Sequence, residues 1–163
     1  MRHRSRHLAV LGCLVAVALA GCGGGDSTSA TRAEPPPMTK AQFVEKVNDI
    51  CFENGQHQAK TVEAFKRKHG YAPASVPPIP LQERMILGIV LPMVHRSVSE
   101  LEELNPAPKQ EAELKAFIAA FTKAAGIAER TPRWLAEPSK EYEPFMQARL
   151  LGAKMGTIFC GQA

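Results

Sequence analysis

Proline is the residue that most constrains how this chain can fold, because it is excluded from helix interiors and from central strands. The 163 residues include 13 prolines, and most of those beyond residue 70 fall in segments 71–80, 106–108 and 132–138. Between these segments apolar residues recur at spacings of three and four, and no stretch alternates as a half-buried strand does. We therefore expect an all-α domain.

The first helix is predicted from a start signal and a stop signal. Thr39 followed by Gln42 is typical of an N-cap with its capping-box partner. Gly70 is a helix-stop signal. Between them the polar residues 53–60 include Gly55, so we expect weaker packing or a bend in the middle of this helix.

Three further helices are expected. The second starts near Pro80, since proline is favoured in a first turn, and ends by Asn105. Its apolar residues nearly encircle it, as in a helix buried on several sides, and Pro92 inside it predicts a kink. The third runs from about Lys109 to Arg130, and the fourth starts near Ser139. Four helices with short connections predict an antiparallel four-helix bundle.

Residues 1–21 have the pattern of an export signal, which we expect to be helical. Three arginines precede the apolar run Leu8–Ala20, and this run is shorter than the roughly 20 residues that cross a bilayer. The run ends in Leu19-Ala20, and the sequence Leu19-Ala20-Gly21-Cys22 resembles the lipobox of bacterial prolipoproteins. The resemblance implies cleavage between Gly21 and Cys22 and a diacylglyceryl thioether on Cys22, usually with a further acyl group such as palmitate.

Two alternatives to this interpretation exist. One is an ordinary secreted protein in which Cys22 is incidental. The other is the similar sequence Val10-Leu11-Gly12-Cys13, which leaves almost no apolar segment before it. Because two or more acyl chains hold a protein stably on a bilayer, the lipobox predicts anchoring on the extracytoplasmic face of the cell membrane, or facing the periplasm. Membrane lipid is then the first expected partner, and another envelope protein is the second.

The segment after the signal is predicted to be a tether. Residues 22–38 are rich in glycine and serine and then in proline, a composition that cannot bury enough apolar surface to fold. We expect a lipidated, disordered tether over residues 22–38 and a helical-bundle domain over residues 39–163.

Removal of the signal also changes the charge of the chain. The precursor has 20 lysines and arginines and 16 acidic residues, a net charge of +4. Three of the basic residues, Arg2, Arg4 and Arg6, are cleaved off with the signal, whereas the first acid is Asp26, so the mature chain has 17 basic and 16 acidic residues and a charge of +1. A chain so close to neutral argues against nucleic acid as a partner.

Two cysteines, Cys51 and Cys160, remain within the domain. The first and last helices of an antiparallel bundle are neighbours, and an exported compartment permits disulfides. Small residues recur every four positions near the C-terminus, and on one helix they would form a ridge that another backbone can approach closely. We predict a Cys51–Cys160 disulfide; the alternatives are free thiols or a reactive cysteine. The ridge consists of Ala148, Gly152, Gly156 and Cys160.

Three short motifs carry a second resemblance. They are Asn48-Asp49-Ile50-Cys51, Leu101-x-x-Leu104-x-Pro106-x-Pro108, and a glycine-bearing last helix that ends in Cys160. Residues 39–160 thereby resemble a group of small helical lipoproteins with one cysteine pair, mainly from high-GC Gram-positive bacteria. This resemblance implies the helical fold and the disulfide, and it implies no particular activity.

Few residues have a pattern that indicates chemistry. The sequence lacks the common nucleophile, phosphate-loop, dinucleotide and zinc-protease motifs, so we expect neither an enzyme nor a cofactor. Asp49, Glu53 and His57 are spaced by four and would share a helix face, as ligands of a divalent ion or as a solvated stripe. Trp134, between Pro132 and Pro138, is the aromatic residue we expect to contact a partner.

Two functions of different classes follow. The first is a non-catalytic binding or accessory module, held at the membrane by its lipid, that acts through a helical face or a partner protein. The alternative is a domain that binds a small ligand or a metal between its helices. A pocket that joins Glu53, His57 and His95 would favour the alternative.

Overall fold

The computed structural model describes residues 35–137, 143–158 and 160. This part of the chain is all-α, as predicted, and its one non-helical pairing is an isolated bridge between Met38 and Pro106. No helix within it is long and apolar enough to cross a membrane. The predicted signal, Cys22 and the tether up to Glu34 lie outside the described residues.

The described part contains six α-helices. They are α1 (Lys40–Lys68), α2 (Ile79–Met85), α3 (Leu91–Glu102), α4 (Pro108–Arg130), α5 (Arg133–Ala136) and α6 (Met146–Met155).

The ends of α1 form as the sequence predicts. The Thr39 hydroxyl accepts from the backbone N–H of Gln42, and the Gln42 side chain accepts from the backbone N–H of Thr39, which completes the capping box. At the other end Gly70 has a φ of 82°, and the next N–H, of Tyr71, donates to the Lys66 carbonyl. This hydrogen bond and the left-handed glycine end the helix in a Schellman motif. The helix continues without interruption through its polar residues 53–60.

The second predicted helix consists of three consecutive pieces. A π-helical segment, Ile86–Val90, joins α2 to α3, and the N–H of Leu91 donates to the carbonyl of Ile86, five residues back. Pro92 follows directly and has no N–H with which to continue the α-helical pattern. The disturbance that Pro92 predicts thus takes the form of a change of hydrogen-bond register in the preceding turn, and π-helical turns are one of the recognised causes of a kink.

The core lies where α3 packs against both α1 and α4, and where α4 packs against α6. α4 agrees with the predicted third helix to within one residue at its start. Phe121 of α4 is central, since its ring centroid lies 5.3 Å from that of Phe117 and 5.4 Å from that of Phe145. Edge-on and tilted aromatic contacts at this distance are favourable. The most deeply buried large side chains are those of Phe43, Val47, Leu101 and Phe117.

The end of the chain differs from the prediction. The residues around the expected start of the fourth helix, 138–142, lie outside the described part, and α6 begins at Met146. It ends where Gly156 takes a φ of 90°, and the N–H of Thr157 then donates to the Gly152 carbonyl. The predicted four-residue ridge on a single helix is therefore wrong, because a left-handed glycine ends α6 and Cys160 lies in the turn beyond it.

Candidate functional site

The turn after α6 brings Cys160 onto α1. The N–H of Ile158 donates to the Asn48 side-chain oxygen at 2.9 Å, and the sulfur atoms of Cys51 and Cys160 are joined, with their α-carbons 5.2 Å apart. The predicted disulfide is thus present. The close approach is made by this short turn, not by a second long helix lying along α1.

A cavity of about 460 Å³ opens beside the disulfide, and we call it the α1–α3 cavity. Its α1 wall includes Cys51, Asn54, Gln58 and Val62, which recur at spacings of three and four and so lie on one side of the helix. α3 contributes the opposite wall and α4 the floor. The residues from those two helices are Met93, Val94, Ser97 and Phe121.

Gly55 is an exposed glycine of α1 at the edge of this cavity. It lines the cavity from α1, and a β-carbon added to it would meet no heavy atom within 4 Å. A glycine in a helix interior costs about 1 kcal/mol relative to alanine. A side chain added at this position therefore has open space in front of it.

The lining of the cavity is uncharged. Among the described residues that line it there is no lysine, arginine, histidine, aspartate or glutamate, and its two cysteines are bridged. Its polar groups are amides and one hydroxyl, the latter from Ser97, which donates to the Met93 carbonyl at 3.0 Å. The cavity therefore combines an apolar wall with a few neutral hydrogen-bonding groups, the usual make-up of a small-molecule site.

Asn54 is the buried polar residue of this wall. Its side chain is only 4% exposed, and its Nδ2 donates to Oε2 of Glu100 on α3 at 2.7 Å. The other oxygen of Glu100 accepts from Arg96 Nε at 2.8 Å. The hydrogen bond from Arg96, assisted by that from Asn54, lowers the pKa of Glu100 despite partial burial. Because a carboxylate can only accept, this network fixes which end of the Asn54 amide faces Glu100.

The other end of that amide, Oδ1, has no hydrogen-bond donor among the described residues. Every fully buried side-chain nitrogen or oxygen in the described part does have a partner, so Asn54 Oδ1 is not fully enclosed. Asn54 is among the residues that line the α1–α3 cavity, so a donor bound in that cavity could approach this carbonyl oxygen.

The predicted metal ligands lie elsewhere. Asp49, Glu53 and His57 are on the exposed side of α1, and none of them lines the α1–α3 cavity. His95 pairs instead with Glu129 of α4 at 2.8 Å. In the described part of the chain no group of three or more His, Cys, Asp or Glu side chains converges to hold a metal. Metal binding by the Asp49 stripe stays a prediction, which titration with zinc tests.

Trp134 lies on the one-turn helix α5 and is 45% exposed. Its role as a partner contact also stays a prediction. Sequence reasoning did not single out Asn54 or Ser97 for function. The signal was present for Asn54, since this polar residue follows Val47 and Ile50 on the apolar face of α1 at positions typical of the core.

Comparison with known protein families, curated proteins and solved structures gives no match to this chain. The site is therefore interpreted from its own geometry.

Proposed function

We propose that this chain is a lipoprotein, anchored through acylated Cys22 on the extracytoplasmic side of the membrane, whose helical domain is a non-catalytic binding module. The α1–α3 cavity is the observation that carries the binding role. Its volume of about 460 Å³ falls within the range of roughly 300–1,000 Å³ that is usual for small-molecule sites. The cavity gives the domain a defined place for a ligand, in addition to its outer helix faces.

The character of the lining supports binding rather than catalysis. Nucleophilic and acid–base catalysis need a reactive side chain within hydrogen-bond reach of a base. Of the described lining residues only Ser97 has a hydroxyl, and that hydroxyl donates to a backbone carbonyl. Neutral amides beside apolar side chains suit recognition of a ligand without its conversion.

We further propose that residues 39–163 form an antiparallel four-helix bundle with the composite helix Ile79–Glu102 as its second member. Two contacts support this arrangement. The N–H of Met38, just before α1, donates to the carbonyl of Asn105, just after α3. The β-position of Gly156, at the end of α6, lies 3.9 Å from the side chain of Val44, near the start of α1.

The binding role is tested by screening a library of small charged and uncharged fragments with ligand-observed NMR. Gly55→Leu should place a side chain in the open space of the cavity without a clash. Gly88→Leu is the matched control, because a β-carbon there also meets nothing within 4 Å and Gly88 does not line the cavity. We expect fragments that bind the wild type and the Gly88 variant and lose binding in the Gly55 variant. If no fragment behaves in this way, the cavity is not a binding site.

A further inference from the structure

We propose that the α1–α3 cavity selects an uncharged molecule with an apolar body and one N–H or O–H group that donates to Oδ1 of Asn54. This inference rests on the binding role proposed above and specifies the ligand class. It is carried by a buried amide whose nitrogen donates to Glu100 and whose oxygen accepts from no residue in the described part of the chain.

The selection for a donor follows from the Asn54 network. Glu100 holds Nδ2 at 2.7 Å and is itself held by Arg96 at 2.8 Å. The amide is therefore oriented before any ligand arrives, with one N–H of Nδ2 bound to Glu100 and with Oδ1, its only acceptor, unbound by any described residue. A site built around such a polar atom discriminates against analogues that cannot satisfy it, because the atom then stays desolvated without a partner.

The selection against charge follows from the lining. An ion that enters an apolar cavity loses its hydration, and this loss is compensated only by an opposite charge or several hydrogen bonds. The charged groups of the Asn54 network are Glu100 and Arg96, and they already pair with each other. Within the described part of the wall no other charged side chain is available.

The apolar body follows from the remaining wall. Val62, Val94 and Phe121 offer aliphatic and aromatic surface between the helices, and Met93 adds an unbranched side chain that can adjust to the shape of a ligand. A pre-oriented polar group such as Asn54 beside this surface fixes the orientation of the ligand, while burial of its apolar part supplies most of the affinity.

Three probes with the same naphthalene body test the ligand class: β-naphthol, its methyl ether and β-naphthoate. Each is titrated calorimetrically into the full chain in lipid nanodiscs, with empty nanodiscs as the blank. We expect β-naphthol to bind about tenfold more tightly than the ether, the loss usual for one buried hydrogen bond, and β-naphthoate to give no heat above the blank. In Asn54→Leu, which keeps the branching and the number of side-chain heavy atoms and removes the acceptor, the two neutral probes should bind equally.

The outcomes separate this inference from the binding role. Equal binding of β-naphthol and its ether to the wild type overturns the donor selection, and this result does not depend on whether any variant folds. Binding of β-naphthoate overturns the exclusion of charge. If Gly55→Leu abolishes binding in either case, the cavity is still a binding site of another ligand class. No heat with any probe, or heat unchanged in Gly55→Leu, overturns the binding role together with the inference.

Discussion

Two glycines inside helices of this domain have opposite surroundings. Gly55 of α1 faces open space, whereas a β-carbon on Gly152 of α6 would lie 3.0 Å from Oγ1 of Thr157 and 3.2 Å from the backbone oxygen of Cys160. The Thr157 hydroxyl is held by the Gly152 carbonyl at 2.8 Å, and Cys160 is held by its disulfide. Neither neighbour can yield easily, so Gly152 is required for packing and Gly55 is not.

We therefore expect opposite effects from the same substitution at these two positions. Gly55→Ala should stabilise the domain by up to about 1 kcal/mol through helix propensity. Gly152→Ala gains the same propensity but must overpack a rigid contact, which commonly costs about 1–3 kcal/mol, so a net loss of about 1 kcal/mol is expected. Urea unfolding of both variants measures the difference. A stabilised Gly152 variant would show that the turn after α6 is free to move.

The Glu100 network predicts a dependence of stability on pH. Hydrogen bonds from Arg96 and Asn54, with the positive charge of Lys46, lower the pKa of Glu100 in the folded state. A lowered pKa contributes stability that is present above the ordinary glutamate pKa and is lost as pH falls through the folded value. Glu100→Gln should thus be less stable than the wild type at neutral pH, and the deficit should shrink in acid. Glu102→Gln, an exposed residue of the same helix, is the control. Equal deficits at both pH values would contradict this role of Glu100.

At the scale of single residues, the sequence indicated exposed patterns more readily than the residues that line the α1–α3 cavity. Asp49, Glu53 and His57 were noticed for their spacing, and they lie on the exposed side of α1. Asn54, which lies on the other side of the same helix, finds its partner 46 positions away in Glu100. A spacing rule reads one helix at a time, whereas the role of a buried polar residue depends on the helix packed against it.

At the scale of the elements, the turn after α6 is attached to α1 by a single covalent bond. The Cys51–Cys160 disulfide closes a loop with a sequence separation of 109. In the chain-entropy model a bridge over such a loop stabilises the fold by about 4–5 kcal/mol, and often less in practice. Reduction should therefore lower the guanidinium midpoint of the wild type. It should have no effect on the double variant Cys51→Ala with Cys160→Ala, which should unfold at the lower midpoint whether or not reductant is present.

The same bridge borders the α1–α3 cavity, since both of its cysteines line the wall. We expect reduction to weaken the binding of any cavity ligand while the helices persist, because the turn that carries Cys160 loses its covalent attachment to α1. Circular dichroism at equal helicity, combined with calorimetry before and after reduction, checks this. Unchanged affinity after complete reduction would show that the turn is held by its hydrogen bonds alone, such as that from Ile158 to Asn48.

Helix boundaries could be predicted where the chemistry that sets them is local. The capping box at Thr39 and the stop at Gly70 involve residues within one turn, and the structure confirms both. Gly156 carries the same kind of stop signal, but the regular spacing of small residues argued for a continuous helix. At Pro92 the sequence indicates a disturbance, whereas its form as a π-helical turn depends on the helices packed around the buried Ile86 and Ile89.

For the whole molecule, the described domain has two distinct ends. The chain enters where α1 begins, and there Asn105 holds the preceding segment through a hydrogen bond from its Nδ2 to the Pro35 carbonyl at 3.1 Å. Trp134 follows the far end of α4, a helix of 23 residues and therefore about 35 Å long. A partner that contacts Trp134 would thus meet the domain at the end away from its point of entry. A photo-crosslinking residue at position 134 should capture such a partner in intact cells, whereas one beside Pro35 should not.

The proposed anchor gives a test of the whole chain, because Cys22 and Cys13 each follow a small residue in a similar sequence. If Cys22 is acylated, Cys22→Ser should move the protein from the membrane fraction to the aqueous fraction, since two or more buried acyl chains are needed for stable attachment. Cys13→Ser should leave it in the membrane fraction with an unchanged mature mass. Both variants should keep the Cys51–Cys160 bridge if export precedes folding, because the bridge needs an oxidising compartment and not the lipid. A Cys22→Ser variant that stays in the membrane fraction would contradict the proposed anchor and show that the protein is attached to the membrane by other means.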